Sequence, residues 1–101
     1  MINRIVKMTF EDSKTEAFLA LFEEVKNKIR IQAGCQHLEL WRDISNPNIL
    51  FTYSIWNSEQ DLENYRHSDL FKTTWENTKN KFSEKAKAWS VQKLYTSNTI
   101  K

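Results

Sequence analysis

Apolar residues along the chain switch between a period of two and a period of about 3.6, and the order of those switches restricts the fold more than any other feature. Ile2 to Phe10 reads as a strand. Ile2, Val6, Met8 and Phe10 lie on one side with Arg4 among them, and Asn3, Ile5, Lys7 and Thr9 lie on the other. Ser13-Lys14-Thr15-Glu16 has the form of a capping box, which predicts a helix start there. Phe18, Leu21, Phe22, Val25 and Ile29 then recur at helical steps, and Gly34 marks the expected end. Cys35 to Arg42 alternates again, with Leu38 and Leu40 on one side and His37, Glu39 and Trp41 on the other. The turn-forming run Asp43-Ile44-Ser45-Asn46-Pro47-Asn48 joins it to a third strand, Ile49 to Trp56, as a hairpin. Asn57 or Ser58 is placed to cap a second helix, broken near His67-Ser68, where Ser68 caps a new segment. A weaker helical stripe runs through Phe71, Trp75, Thr78 and Phe82. Ala88 to Thr96 reads as a fourth strand. Residues 1–96 form a single domain on this reading, and residues 97–101 a polar tail.

The order β-α-β-β-α-β predicts an α+β fold, the ferredoxin-like plait: a four-stranded antiparallel sheet with helices on one face and strands one and three central. The third strand adds a demand. Ile49, Phe51, Tyr53 and Ile55 form one face, and Leu50, Thr52, Ser54 and Trp56 the other. Both carry large side chains, yet helices cover only one face of such a sheet. An open apolar sheet face calls for a partner, and a second copy packed sheet to sheet is the economical one. A homodimer is therefore expected.

Composition removes several function classes. The net charge is +2, too small for a nucleic-acid footprint. The single Gly leaves no Gly-rich phosphate loop, and the single Cys leaves no internal disulfide or Cys-based zinc module. No apolar run reaches the roughly 18 residues of a membrane span. The first residues show no signal-peptide pattern, so a cytoplasmic location is expected, with neither nucleic acid nor membrane as partner. The charge is uneven: residues 67–101 carry seven Lys against three acidic residues. That asymmetry reads either as a solvated helix face or as an electropositive rim for an anionic ligand. Aromatic residues make up 13% of the chain, enough to build a core or to line a pocket for a flat ligand.

Four stretches carry a family resemblance: Arg4 to Phe10, Gly34 to Leu40, Phe51 to Glu59 and Tyr65 to Phe71. Within them, Trp56-x-Ser58-x-x-x-Leu62 followed by His67-Ser68-x-x-Phe71 is the most specific pattern. Together they resemble the antibiotic biosynthesis monooxygenase (ABM) domain over residues 2 to about 95. The resemblance implies the dimeric α/β-barrel form of the plait and a pocket between sheet and helices. It also implies oxygenation of phenolic compounds without metal or flavin, although other branches degrade haem or have other roles. The haem branch is matched at Trp56, but its ligating His falls at Trp75 and its first-strand Asn has no counterpart near Ile5 or Val6. Axial haem ligation is therefore not expected, and neither cofactor nor metal is called for.

Cofactor-free oxygenation needs a base to take a phenolic proton, after which the electron-rich anion reduces dioxygen in a dry pocket. His37 and His67 are the groups that titrate near neutral pH, and they are the candidate catalytic residues. Glu39 shares a strand face with His37 and could orient it; the pair could equally sit at the dimer interface or the solvent edge. His67 could instead serve the helix break. Trp56, Tyr65, Phe71 and Trp75 form either a substrate-binding wall or a core. Arg4, set among apolar neighbours, needs an anion, supplied by Glu39, by another carboxylate or by a ligand. Cys35 reads as a small buried residue. The expected function is that of a cofactor-independent monooxygenase acting on an aromatic or quinol-like small molecule. The competing reading is a non-catalytic dimeric binding or stress-associated protein of the same fold.

Overall fold

A computed structural model describes residues 1–98 of the chain. The elements are β1 (Ile2–Phe10), a 3-10 turn (Asp12–Lys14), α1 (Thr15–Arg30), β2 (Cys35–Arg42), β3 (Ile49–Trp56), α2 (Glu59–Arg66), α3 (Asp69–Lys79) and β4 (Phe82–Val91). The sheet order is β2-β3-β1-β4, antiparallel at every pairing. This is the ferredoxin-like α+β plait, with β1 and β3 central and the second helical region split in two.

Strand alternation decides what lies beneath the helices. Arg4, Val6 and Met8 of β1 pair with Ser54, Thr52 and Leu50 of β3 on the inner face. Met8, Phe10, Phe18 and Leu50 make one buried cluster, joining β1 and β3 to α1. Cys35, Trp56 and Leu62 make a second, joining β2, β3 and α2. The helical stripe of α1 faces this side: Phe18, Val25 and Ile29 are buried. Ser58 caps α2 by accepting from the Asp61 amide at 3.1 Å, and Ser68 caps α3 by accepting from the Phe71 amide at 3.1 Å.

Three local expectations are corrected. Ser13 does not close a capping box: it lies in the 3-10 turn, and α1 starts at Thr15 with no side-chain cap bond from Lys14. A contact from elsewhere in the chain takes over that role. The Thr15 hydroxyl bonds Asn48 Oδ1 at 2.6 Å, and Asn48 Nδ2 donates to Asp12 Oδ1 at 3.0 Å, so the β2–β3 loop holds the helix start. Second, α1 ends at Arg30, well before Gly34. Third, β4 runs from Phe82 to Val91 rather than from Ala88 to Thr96. Phe82 pairs with Phe10 and does not continue the helix. From Phe82 to the expected start at Ala88 the strand reads Ser83-Glu84-Lys85-Ala86-Lys87, and on this edge strand the charges protect against further pairing and erase the apolar alternation. Residues 92–98 carry no regular structure, and the end of the expected tail lies outside the described residues.

Gly34 sits at φ 84°, between α1 and β2, and its carbonyl accepts from the Asn57 amide at 2.8 Å. A Cβ there would come within 2.4 Å of the Asp61 side chain in the capped first turn of α2. Gly34→Ala therefore meets both a disfavoured backbone conformation and a steric conflict. The expected cost is about 1–3 kcal/mol, read as a fall in melting temperature of about 5–15 °C. An unchanged melting temperature would contradict this packing.

Candidate functional site

Small side chains on the inner sheet face make room for a site. In one cross-strand row Arg4 stands between Ser54 of β3 and Ser90 of β4; in the next, Val6 stands between Thr52 and Ala88. Most side chains in these two rows are short, which leaves space beneath the helices. A cavity of about 270 Å³ remains between sheet and helices, reached by residues of every strand and of α1, α2 and α3. That is just below the usual small-molecule range of about 300–1,000 Å³, a size suited to a compact ring system.

One side of the cavity is aromatic. Trp56, Tyr65, Phe71 and Trp75 all line it. Trp56 stacks on Tyr65 with centroids 5.0 Å apart, Tyr65 meets Phe71 edge-on at 5.3 Å, and Phe71 stacks on Trp75 at 5.8 Å. The break between α2 and α3 permits this, because the turn at His67-Ser68 redirects the chain between Tyr65 and Phe71. Trp56 is only 1% exposed, and its indole N–H donates to Ser54 Oγ at 3.0 Å. Trp56 thus belongs to the core as much as to the wall. Trp75 and Phe71 are half-buried.

The polar features are few. Arg4 projects from β1 onto the inner face and donates to Ser90 Oγ at 3.0 Å. Among the described residues no carboxylate lies within ion-pair distance of it. Glu39, considered from sequence as its partner, is on the opposite face. Desolvation lowers the Arg4 pKa, Arg66 lowers it further by repulsion, and Glu63 opposes the shift. Arg66 also lines the cavity and pairs with Glu63 at 2.6 Å. Burial holds the Tyr65 phenol well above its ordinary value, with the Cys35 thiol a lesser cause. The Tyr65 hydroxyl has no hydrogen-bond partner among the described residues. Cys35 is buried, and desolvation raises its own pKa.

The two histidines lie elsewhere. His37 is on the outer, helix-free face of β2 and pairs with Glu39, which also accepts from Trp41 Nε1 at 2.7 Å. Those two contacts hold the Glu39 carboxyl below its usual value. His67 is the exposed residue ending α2, with Nε2 3.9 Å from Glu63. Neither lines the cavity, so the structure gathers Arg4, Trp56, Tyr65, Phe71 and Trp75 and leaves His37 and His67 outside. Among the described residues no three His, Cys, Asp or Glu side chains converge as a metal site would require. No helix is long and apolar enough to cross a membrane.

Sequence reasoning missed Arg66, Thr52 and Ser54. Thr52 and Ser54 shared a face with Trp56, but which face of β3 the helices cover was not readable from the alternation. Arg66 lies next to Tyr65 on a helix and carried no signal beyond its charge.

Solved structures share this architecture closely. A conserved protein from Methanosarcina mazei Go1 superposes with a TM-score of 0.86 at 21% identity, covering 91% of each chain. A protein described as an antibiotic biosynthesis monooxygenase gives 0.88 at 15% identity, covering 94% of this chain and 100% of that one. A Mycobacterium tuberculosis protein gives 0.86 at 14% identity, covering 96% and 98%. Likeness at such identities establishes the fold. No curated protein matches the chain. The family model described as antibiotic biosynthesis monooxygenase matches residues 1–77, from β1 through most of α3. The chain therefore belongs to the antibiotic biosynthesis monooxygenase family.

Proposed function

We propose that the protein is a monooxygenase that takes a small phenol or quinol into the cavity and oxygenates it with dioxygen, with no bound cofactor. The observation that carries this reading is the aromatic wall of Tyr65, Phe71 and Trp75 beside the inward guanidinium of Arg4. Flat rings favour a flat ligand, and the mostly apolar lining limits the contact of reactive intermediates with water. The reaction balances without an external reductant. A phenol with a free ring C–H loses four electrons to dioxygen, one oxygen atom becomes the new quinone carbonyl, and the other leaves as water.

The outer sheet face supports a homodimer. Ile49, Phe51, Tyr53 and Ile55 point away from the helices, while the shorter Thr52 and Ser54 point toward them. The more apolar face of β3 is thus the uncovered one. Trp41 stacks on Tyr53 there with centroids 5.1 Å apart, yet is 43% exposed; Trp89 on β4 is 45% exposed. A second copy placed face to face would cover these rings. His37 and Glu39 would then lie at the dimer interface.

Three expectations test the reading. Light scattering at micromolar concentration should give a dimer mass, and Trp89→Glu should shift it toward monomer, as befits an interface of at least about 1,000 Å²; a monomer for the unaltered chain would contradict the assembly. Trp56→Ala should cost about 3–5 kcal/mol of stability, because that ring is fully packed; a near-neutral effect would remove Trp56 from the core. Trp75→Ala should keep the dimer and fold but weaken ligand binding. Dioxygen uptake above the autoxidation rate, on incubation with dihydroxynaphthalenes, should follow the same loss. Saturable binding without uptake would replace the enzyme reading with that of a non-catalytic binding protein.

A further inference from the structure

We infer that the cavity takes its aromatic ligand as an oxyanion, with the ring hydroxyl ionised and its oxygen held by the Arg4 guanidinium. This rests on the reading of the cavity as an aromatic-ligand site and adds the charge state of what enters it.

Among the described residues that line it, the cavity lacks a carboxylate or imidazole that could act as a base: there is no His, Asp or Glu. Burial raises the pKa of its one phenol, Tyr65, so that side chain is no base for a ligand proton. A neutral phenol entering there would find no group to take its proton. A ligand held there as an anion has therefore given its proton to solvent rather than to the protein.

What the cavity has is positive charge that is incompletely answered. Arg4 stands on a central strand, flanked by two serines in the same cross-strand row, and spends one donor on Ser90 Oγ at 3.0 Å. A guanidinium carries five N–H donors in a rigid fork, so the others are free for an oxygen. Arg66 from α2 borders the same cavity, but Glu63 is bound to it at 2.6 Å. His67 Nε2 is 3.9 Å from that same Glu63 carboxylate. The charged groups lining the cavity are thus Arg4 and Arg66, and since Glu63 offsets Arg66 from outside it, one net positive charge remains, on Arg4. The aromatic wall and small β4 alanines supply no counter-charge. A half-buried cation without a carboxylate partner is costly, and an anionic ligand oxygen relieves that cost. A ring oxyanion also suits the chemistry proposed above, since a phenolate surrenders an electron to dioxygen far more readily than a phenol.

Two probes separate this inference from the reading beneath it. 4-Nitrophenol reports its own ionisation by absorbance, and 4-nitroanisole has the same ring with no ionisable hydroxyl. The bound nitrophenol should titrate at least about one pH unit below the free compound, a tenfold preference for the anion of the size a charge-assisted hydrogen bond supplies. Nitroanisole should bind at least about tenfold more weakly than the nitrophenolate. Arg4→Gln should abolish the shift while leaving nitroanisole binding in place, and Arg4→Lys should preserve part of it. An unchanged or raised nitrophenol pKa on binding, with nitroanisole bound equally well, would overturn the oxyanion while leaving the cavity as a ligand site. Failure of both compounds to bind would overturn the cavity reading and this inference together. A pKa shift that survives Arg4→Gln would assign the anion to another group and refute the role of Arg4.

Discussion

The inner face of a four-stranded sheet must be filled by whatever packs on it, and here a cavity remains over two central rows in which Arg4 and Val6 are flanked by short side chains. Ser54, Arg4 and Ser90 make one row, and Thr52, Val6 and Ala88 the next. Close packing is the rule in protein interiors, so a hollow bordered by such residues is a feature the surrounding elements must span. They do so with rings. Continuous contacts run from Trp56 through Tyr65, Phe71, Trp75 and Phe82 to Phe10 and on to Phe18 and Phe22. This chain ties α2, α3 and β4 to β1 and α1 around the cavity rather than through it. The aromatic content of the sequence is spent on both purposes between which composition could not choose: Trp56 and Phe10 are core, while Phe71 and Trp75 remain half-open to the cavity.

The same alternation that empties the inner face loads the outer one. A period of two gives each strand residue one side only, so the large apolar members of β3 could not serve the helices without reversing its register. The result is a molecule with two distinct aromatic surfaces. Tyr65, Phe71 and Trp75 border a partly open hollow beside Arg4. Trp41, Tyr53 and Trp89 lie on an open plane beside His37 and Glu39. The first is the proposed ligand site and the second the proposed interface.

Legibility in the sequence followed the strength of local signals. β2 and β3 are found where their alternation places them, and the break at His67-Ser68 is found because Ser68 is a strong cap. The capping box at Ser13 misled because Asn48, distant in sequence, takes the Thr15 hydroxyl. β4 was misplaced because Lys85, Lys87 and Glu84 suit an exposed edge and hide its alternation. The inward position of Arg4 was visible from its neighbours Ile2, Val6 and Met8. Its lack of a carboxylate partner was not, since that depends on Glu39 lying across the sheet. The histidines were singled out by their titration range, a property of the residue type, whereas their exclusion from the cavity is a property of strand facing and helix termination.

The proposed function places the ligand in the hollow beneath α3 and not on the open sheet face. The four tryptophans divide evenly between those places: Trp56 and Trp75 border the hollow, and Trp41 and Trp89 lie outside it. Their indole N–H resonances, followed by nuclear magnetic resonance during titration with 2-naphthol, test the claim directly. The account predicts saturable shifts of Trp56 and Trp75 with Trp41 and Trp89 unmoved. Shifts confined to Trp41 and Trp89 would place the ligand on the outer face and contradict it.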